Sequence, residues 1–156
     1  HEFDLIRDWF YFSTLYLSYT KDFKPTPEWV SHRLQIKESE AKQALAKLSE
    51  LGLLIYNEDQ QLVSRVDRVK TTDEISSQSL KVMHEQVLTK VKKSIVLDIK
   101  DRDITSVTLP LNKNSIPKIK ELIRNFHSDL MVLAENESTK DDVYNVMVSL
   151  VPLSFK

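Results

Sequence analysis

Ala41-Lys-Gln-Ala-Leu-Ala-Lys-Leu-Ser-Glu-Leu-Gly52 is the stretch whose reading decides the fold. Ala41, Ala44, Leu45, Leu48 and Leu51 recur at helical spacing, which predicts one apolar face. Gly52 follows where a helix needs a residue of positive φ to leave its axis, and it is the single glycine among 156 residues. Ahead of this run, Pro27-Glu-Trp-Val-Ser-His-Arg-Leu34 predicts a shorter helix, with Thr26 as its cap and Pro27 in its first position. The polar turn Gln35–Ser39 separates the two, and Ser39, or Lys37-Glu-Ser, opens the second. Behind Gly52, Leu53–Tyr56 and Leu62–Val66 read as two strands joined by the polar loop Asn57-Glu-Asp-Gln-Gln61. Helix, turn, helix, glycine stop and ribbon is the order of a winged helix-turn-helix. It predicts a winged-helix-like lobe over residues 1–70.

Upstream, Asp4 to about Tyr19 predicts a first helix of unusual aromatic content. Eight of the 13 aromatic residues fall within residues 1–23. Leu5, Trp9, Phe12 and Tyr16 make one stripe, and Ile6, Phe10 and Leu17 another. A helix apolar on two sides needs two surfaces against it: the helix-turn-helix core, and a second lobe, a preceding domain or a partner.

Downstream, residues 71–156 predict a small α+β lobe suited to dimerisation or sensing. Thr71 or Thr72 opens a long helix to about Leu97, with Leu80, Val87, Val91 and Ile95 on its apolar stripe and His84 among them as a core histidine. Thr105, Val107, Leu109 and Leu111 alternate as a strand. Pro117 enters a helix faced by Ile116, Ile119, Ile123, Phe126, Leu130 and Leu133, and Tyr144, Val146, Val148 and Leu150 alternate as a second strand. The fold class expected is therefore α+β: a winged helix-turn-helix lobe followed by a helix-strand-helix-strand lobe.

Composition narrows the function. Hydrophobic residues at 41% and charged residues at 29% describe a folded globular chain, not a disordered one. Cysteine is absent, so there is no disulfide framework, no thiol chemistry and no cysteine-ligated zinc. Apolar runs are too short to span a bilayer and no signal-peptide pattern is present, which predicts a cytoplasmic protein with no membrane partner. The start at His1 rather than methionine predicts a piece of a longer chain. One glycine cannot build a phosphate-cradling loop or a dinucleotide fingerprint. His32, His84 and His127 stand singly, without metal-ligand spacing. Lys100-Asp-Arg-Asp103 reads as an exposed charged turn, and Asp141 and Asp142 as loop solvation. No residue emerges as catalytic, cofactor-binding or metal-ligating, and the expectation is a non-enzyme without cofactor.

The residues available to touch DNA lie on the longer helix and its approach: Lys37, Lys42, Gln43 and Lys47, with Arg33 on the preceding helix. Glutamine can read an adenine edge, and lysine can meet phosphate or guanine. Against this, Glu38 and Glu40 share the helix, and Glu58 and Asp59 make the ribbon tip acidic. Charge is balanced in both halves. Residues 1–70 hold 10 of the 22 basic and 11 of the 23 acidic residues, leaving 12 of each beyond. A phosphate-gripping lobe usually carries a basic excess.

Several separated motifs in one order resemble a paralogous family of bacterial regulators, expanded in predatory and cellulose-degrading species and without an assigned biochemical role. They are Ile6-Arg-Asp-Trp9-Phe-Tyr-Phe12, Trp29-Val-Ser-His-Arg-Leu34, Ala44-Leu-Ala-Lys-Leu-Ser-Glu-Leu-Gly52-Leu-Leu54, Met83-His84, Arg102-Asp103 with Thr108-Leu109, and Val143-Tyr144 leading to Leu150-Val-Pro152-Leu. Phe10 and Tyr11 stand where that family often has tyrosine then histidine. The resemblance implies a regulatory module from the C-terminal part of a longer protein with a further helix-turn-helix-like region before it. It implies no catalytic residues. The expectation is thus part of a transcriptional regulator that engages DNA in its full-length form. The alternatives are a winged helix used for protein–protein contact, or a small-molecule sensor in the second lobe. A homodimer is expected, joined through the second lobe or the aromatic first helix.

Overall fold

The computed structural model describes residues 7–65 and 77–156, in two units: residues 1–104 with Asp141–Val143, and residues 105–140 with 144–156. The class is mixed α and β. The first unit holds α1 (Trp9–Leu17), α2 (Pro27–Leu34), α3 (Glu38–Glu50), β1 (Leu54–Tyr56), β2 (Leu62–Ser64) and α4 (Ser77–Ser94). The second holds a 3₁₀ turn (Lys113–Ser115) running into α5 (Ile116–Glu135). The expected start of the first helix, with Phe3, Leu5 and Ile6, lies outside the described residues, as does the stretch around Thr71 and Thr72.

Unit 1 is organised around α1. Phe10, Tyr11, Phe12, Leu15 and Leu17 are all buried, together with Val30 of α2, Ala41, Ala44, Leu45 and Leu48 of α3, and Leu53, Leu54 and Leu62 around the ribbon. Two of the smallest apolar residues, Ala41 and Ala44, lie on the buried face of α3 and leave room for the rings of α1. On its other side α1 meets α4. Gln86 accepts a hydrogen bond from the Trp9 backbone N–H (2.9 Å) and donates one to Asp8 Oδ1 (2.7 Å), so a side chain from α4 satisfies the start of α1. Of the two expected stripes, Trp9, Phe10, Phe12 and Leu17 are covered within unit 1, to which α4 belongs, while Tyr16 stays exposed and Leu5 and Ile6 lie outside the described residues.

Each helix end has an identifiable cause. Thr26 accepts a hydrogen bond from the Trp29 N–H (3.3 Å) at the start of α2, with Pro27 in the first turn. The α2 exit is a left-handed Gln35 (φ 54°), whose side-chain amide donates to the His32 carbonyl (2.6 Å) while the Ile36 N–H returns to Ser31 O (3.1 Å). At the start of α3, the Glu40 carboxylate accepts from the Lys37 N–H (2.8 Å). At its end Gly52 takes φ +68°, and two bonds close the turn: Gly52 N–H to Ser49 O (3.0 Å) and Leu53 N–H to Leu48 O (2.9 Å). This is the paired-bond helix stop that a left-handed residue permits.

The ribbon is antiparallel, with Leu54 opposite Ser64, Ile55 opposite Val63 and Tyr56 opposite Leu62. Its loop closes through Asn57, which exchanges backbone and side-chain bonds with Gln61 around a left-handed Gln60 (φ 59°). Tyr19 Oη lies 2.7 Å from Ser64 Oγ, joining the end of the α1 segment to β2.

Two expectations need correction. His84 is exposed; the inward face of α4 is Leu80, Met83, Val87 and Val91, a phase that leaves residue 84 outside. The expected strands Thr105–Leu111 and Tyr144–Leu150 are not strands: the sheet formed by the described residues is β1 with β2 alone. Alternation selects which residues share a face, but a strand exists only through ladder bonds to a neighbour. Neither segment has one here, and Pro110 also removes a donor from the first.

Two substitutions test this packing. Gly52→Val should destabilise unit 1 by more than about 1 kcal/mol. The cost is backbone strain, because the nearest atom to an added Cβ is Arg65 Nη1 at 3.7 Å, ordinary contact. Thr14 in α1 is fully buried and its hydroxyl has no hydrogen-bond partner among the described residues. Thr14→Val keeps the shape, removes that hydroxyl and should stabilise by about 1 kcal/mol. Urea denaturation of the three proteins, with unchanged m-values, checks both.

Candidate nucleic-acid interface

The five residues expected to contact nucleic acid separate into two groups. Lys37 at the entry to α3, and Lys42 and Gln43 one turn further on, are exposed. Among the described residues none of their side chains has a salt bridge or a side-chain hydrogen bond. Ser39, Lys42, Gln43 and Ala46 are all exposed, so α3 presents a continuous outward stripe without a carboxylate in its middle. Glu40, one of the two acidic residues expected to repel phosphate, holds its carboxylate against the Lys37 N–H at the positive end of the helix.

Lys47 and Arg33 are engaged elsewhere. Lys47 Nζ pairs with Glu50 Oε2 at 2.7 Å, and only 22% of its side chain is exposed. Arg33 is 17% exposed and stands at the centre of a clamp. Its Nη1 donates to both oxygens of Asp22 (3.0 and 2.8 Å), and its Nη2 to Asp142 Oδ1 and to the Asp141 carbonyl (both 2.6 Å). The guanidinium also lies 4.8 Å from the centre of the Trp29 ring. Lys21 reinforces the same segment with a 2.6 Å bridge to Asp141. Burial disfavours the Arg33 charge, but bonds to Asp22 and Asp142 outweigh it and hold the guanidinium more firmly protonated. The bond from Arg33 keeps the Asp22 carboxyl below its ordinary range.

Asp141 and Asp142 are therefore structural, not loop solvation. They pin Asp141–Val143 to unit 1, where Val143 packs against the core. Arg33 and its two aspartate partners beyond residue 140 lie 108 and 109 positions apart in sequence, so no local pattern could have found this contact. The Lys100–Asp103 turn is exposed as expected at Asp101 and Asp103, with Arg102 Nε donating to the Leu97 carbonyl (3.1 Å).

A groove of about 390 Å³ runs beside α3, lined by Asp8, Trp9, Glu40, Gln43, Gln86 and Lys90 among others. Lys90 Nζ sits 3.5 Å above the centre of the Trp9 ring. Burial, and then Lys93, lowers its pKa below the ordinary lysine value. The groove mixes both charge signs and carries no grouping of three metal-ligating side chains among the described residues. The ribbon tip is exposed at Glu58 and Asp59, next to a Tyr56 that is 67% exposed. No helix among the described residues is long and apolar enough to cross a membrane.

The chain belongs to the family described as Domain of unknown function (DUF4423), whose match runs over residues 1–153. No curated protein and no solved structure matches it.

The clamp has a pH signature. A carboxyl whose folded pKa is lowered stabilises the fold above its ordinary value, near ~4, and loses that contribution as pH falls through the lowered value. The raised pKa values of Lys21 and Arg33 mean that their contributions fade only in strong alkali. Arg33→Met should therefore lower the denaturation midpoint at pH 7 and speed amide exchange at Asp141–Val143 several-fold. The difference from wild type should shrink below about pH 4, as Asp22 takes up its proton. An effect undiminished at pH 3 would show that packing on Trp29, not charge, carries the contact.

Proposed function

We propose that unit 1 is a winged helix serving a non-enzymatic, cytoplasmic regulatory module, part of a transcriptional regulator in which α3 reads DNA. One observation carries this reading. The second helix of the helix-turn-helix presents Lys42 and Gln43 outward and uncommitted, while Glu40, Lys47 and Arg33 are held by internal contacts and Glu38 is exposed one turn before Lys42. Lysine supplies a phosphate or guanine contact, and glutamine matches the donor and acceptor of an adenine edge. Ser39 and Ala46, small residues on the same stripe, let the helix axis come close to a groove wall. The order of α2, α3, β1 and β2 supports the reading, with the ribbon following the helix as a wing does.

Arg33 drops out of the proposed contact set, and Lys47 is at most a secondary member because it already pairs with Glu50. Lys37 stays, as an unpaired cation at the end of the helix that would approach phosphate first.

A second reading has its own observation. The ribbon tip pairs an acidic loop, Glu58 and Asp59, with an exposed Tyr56, a combination that repels phosphate and suits a basic, partly apolar protein surface. On that reading the winged helix docks on another protein.

Salt-titrated binding to a DNA library separates the two. On the DNA reading, affinity falls steeply with salt, and Lys42→Ala reduces the slope of log K against log salt by about one contact, uniformly across sequences. Gln43→Ala costs about 1–3 kcal/mol at preferred sites only, relaxing base preference. Absence of binding at low salt, by this chain and by a longer protein containing it, ends the DNA reading and leaves the protein-contact one.

A further inference from the structure

We infer that two copies of this chain associate through unit 2, with their α5 helices antiparallel across a two-fold axis. The inference is independent of what α3 contacts. Three observations carry it.

The first is that unit 2 has no interior. None of its residues is buried, although it contains a 20-residue helix and two alternating apolar segments. Ile116, Ile119, Ile123 and Leu130 on one side of α5 are half-buried, whereas Leu122, Phe126 and Leu133 on another stand 61, 48 and 64% exposed. A lone helix gains its stability from packing an amphipathic face, and here Leu122, Phe126 and Leu133 leave one such face open to solvent.

The second is area. Fifteen large apolar side chains of unit 2 are at least 37% exposed, from Val107 to Phe155. At several tens of Å² each they present on the order of 1,000 Å², against the roughly 800 Å² per partner that a stable interface buries. The segments Thr105–Leu111 and Tyr144–Leu150 add backbone groups with no ladder partner, which the same segments of a second copy can pair.

The third observation selects the occupant. The first half of α5 carries Lys118, Lys120 and Arg124 against one anion, Glu121, while the second half carries Asp129 and Glu135 and no Lys or Arg. No acidic residue lies in the first turn and no basic residue in the last, so these charges run against the helix's own macrodipole. By helical spacing Lys118 and Asp129 flank the face of Leu122, Phe126 and Leu133, so a second α5 laid antiparallel brings the Lys118 of each copy beside the Asp129 of the other and opposes the two dipoles. Charge and apolar surface are then self-complementary, as an isologous interface requires. The other surface expected to join two copies, α1, is buried inside unit 1.

Sedimentation equilibrium and light scattering of the 156-residue chain test the inference. Wild type should show twice the 18.2 kDa chain mass at tens of micromolar. Phe126→Glu should weaken association by about tenfold or more. Lys118→Glu leaves two acidic residues flanking the exposed face of α5, and Asp129→Lys leaves two basic ones. Each alone should associate several-fold more weakly than wild type, and an equimolar mixture should recover wild-type association, which requires both variants to be folded. A chain that stays at 18.2 kDa up to high micromolar concentration overturns the inference. So does a dimer that survives Phe126→Glu and both charge variants unchanged, because its interface then lies elsewhere.

Discussion

The burial of α1 is the constraint on which unit 1 depends. A nine-residue helix with Phe10, Tyr11, Phe12, Leu15 and Leu17 all buried leaves only the Tyr16 side to solvent, so it must be wrapped on most of its circumference. α2 and α3 cover one side, with the buried Ala41 and Ala44 in the shared core, and α4 covers the start of the helix through Gln86 and Lys90. The ribbon is held in the same way, by Leu54 and Leu62 against the core and Tyr19 against Ser64. The turn between α2 and α3 and the stop at Gly52 then determine how α3 leaves this packing, and hence which of its residues face outward.

The parts of this arrangement legible in the sequence are those specified locally. α2 begins and ends where Thr26, Pro27 and the polar turn place it, because cap and proline act within a few residues of themselves. Gly52 is as plain, since few other residues take its φ without strain. The left-handed Gln35 and Gln60 were not legible, because glutamine has no special preference for that region and is held there by its surroundings. The phase of α4 was misjudged because Leu80, Val87 and Val91 fit either a stripe through 83 or one through 84; tertiary contact with α1 chooses the former. The two apolar segments of unit 2 were read as strands from alternation alone, which says nothing about a partner.

Arg33 shows why a basic residue beside an exposed helix is weak evidence for phosphate contact. Its environment could not be inferred from its neighbours in sequence, since two of its ligands come from beyond residue 140. A fork whose Nη1 holds Asp22 while its Nη2 holds Asp141 and Asp142, lying against the Trp29 face, suits a guanidinium and would not suit lysine. The clamp instead returns Asp141–Val143 to unit 1 between two stretches of unit 2, so the chain passes between its units at Ile104, at Lys140 and again at Val143. Of the five side chains expected to contact nucleic acid, Lys37, Lys42 and Gln43 make no salt bridge or side-chain hydrogen bond among the described residues, a smaller set than composition alone offered.

The near-absence of glycine also bears on the unfolded chain. An average sequence of this length would hold about 11 glycines. Replacing a glycine by a residue with a Cβ, where the native backbone tolerates it, removes about 0.4–1 kcal/mol of disorder that folding would otherwise have to overcome. Summed over the missing positions, the denatured ensemble here is narrower by a few kcal/mol. Gln35 and Gln60 show the opposing cost, since each holds a left-handed backbone that glycine would adopt freely. The sequence thus accepts strain at two turns of the native state while keeping the denatured state stiff. Part of its stability resides in conformations that the folded molecule never visits.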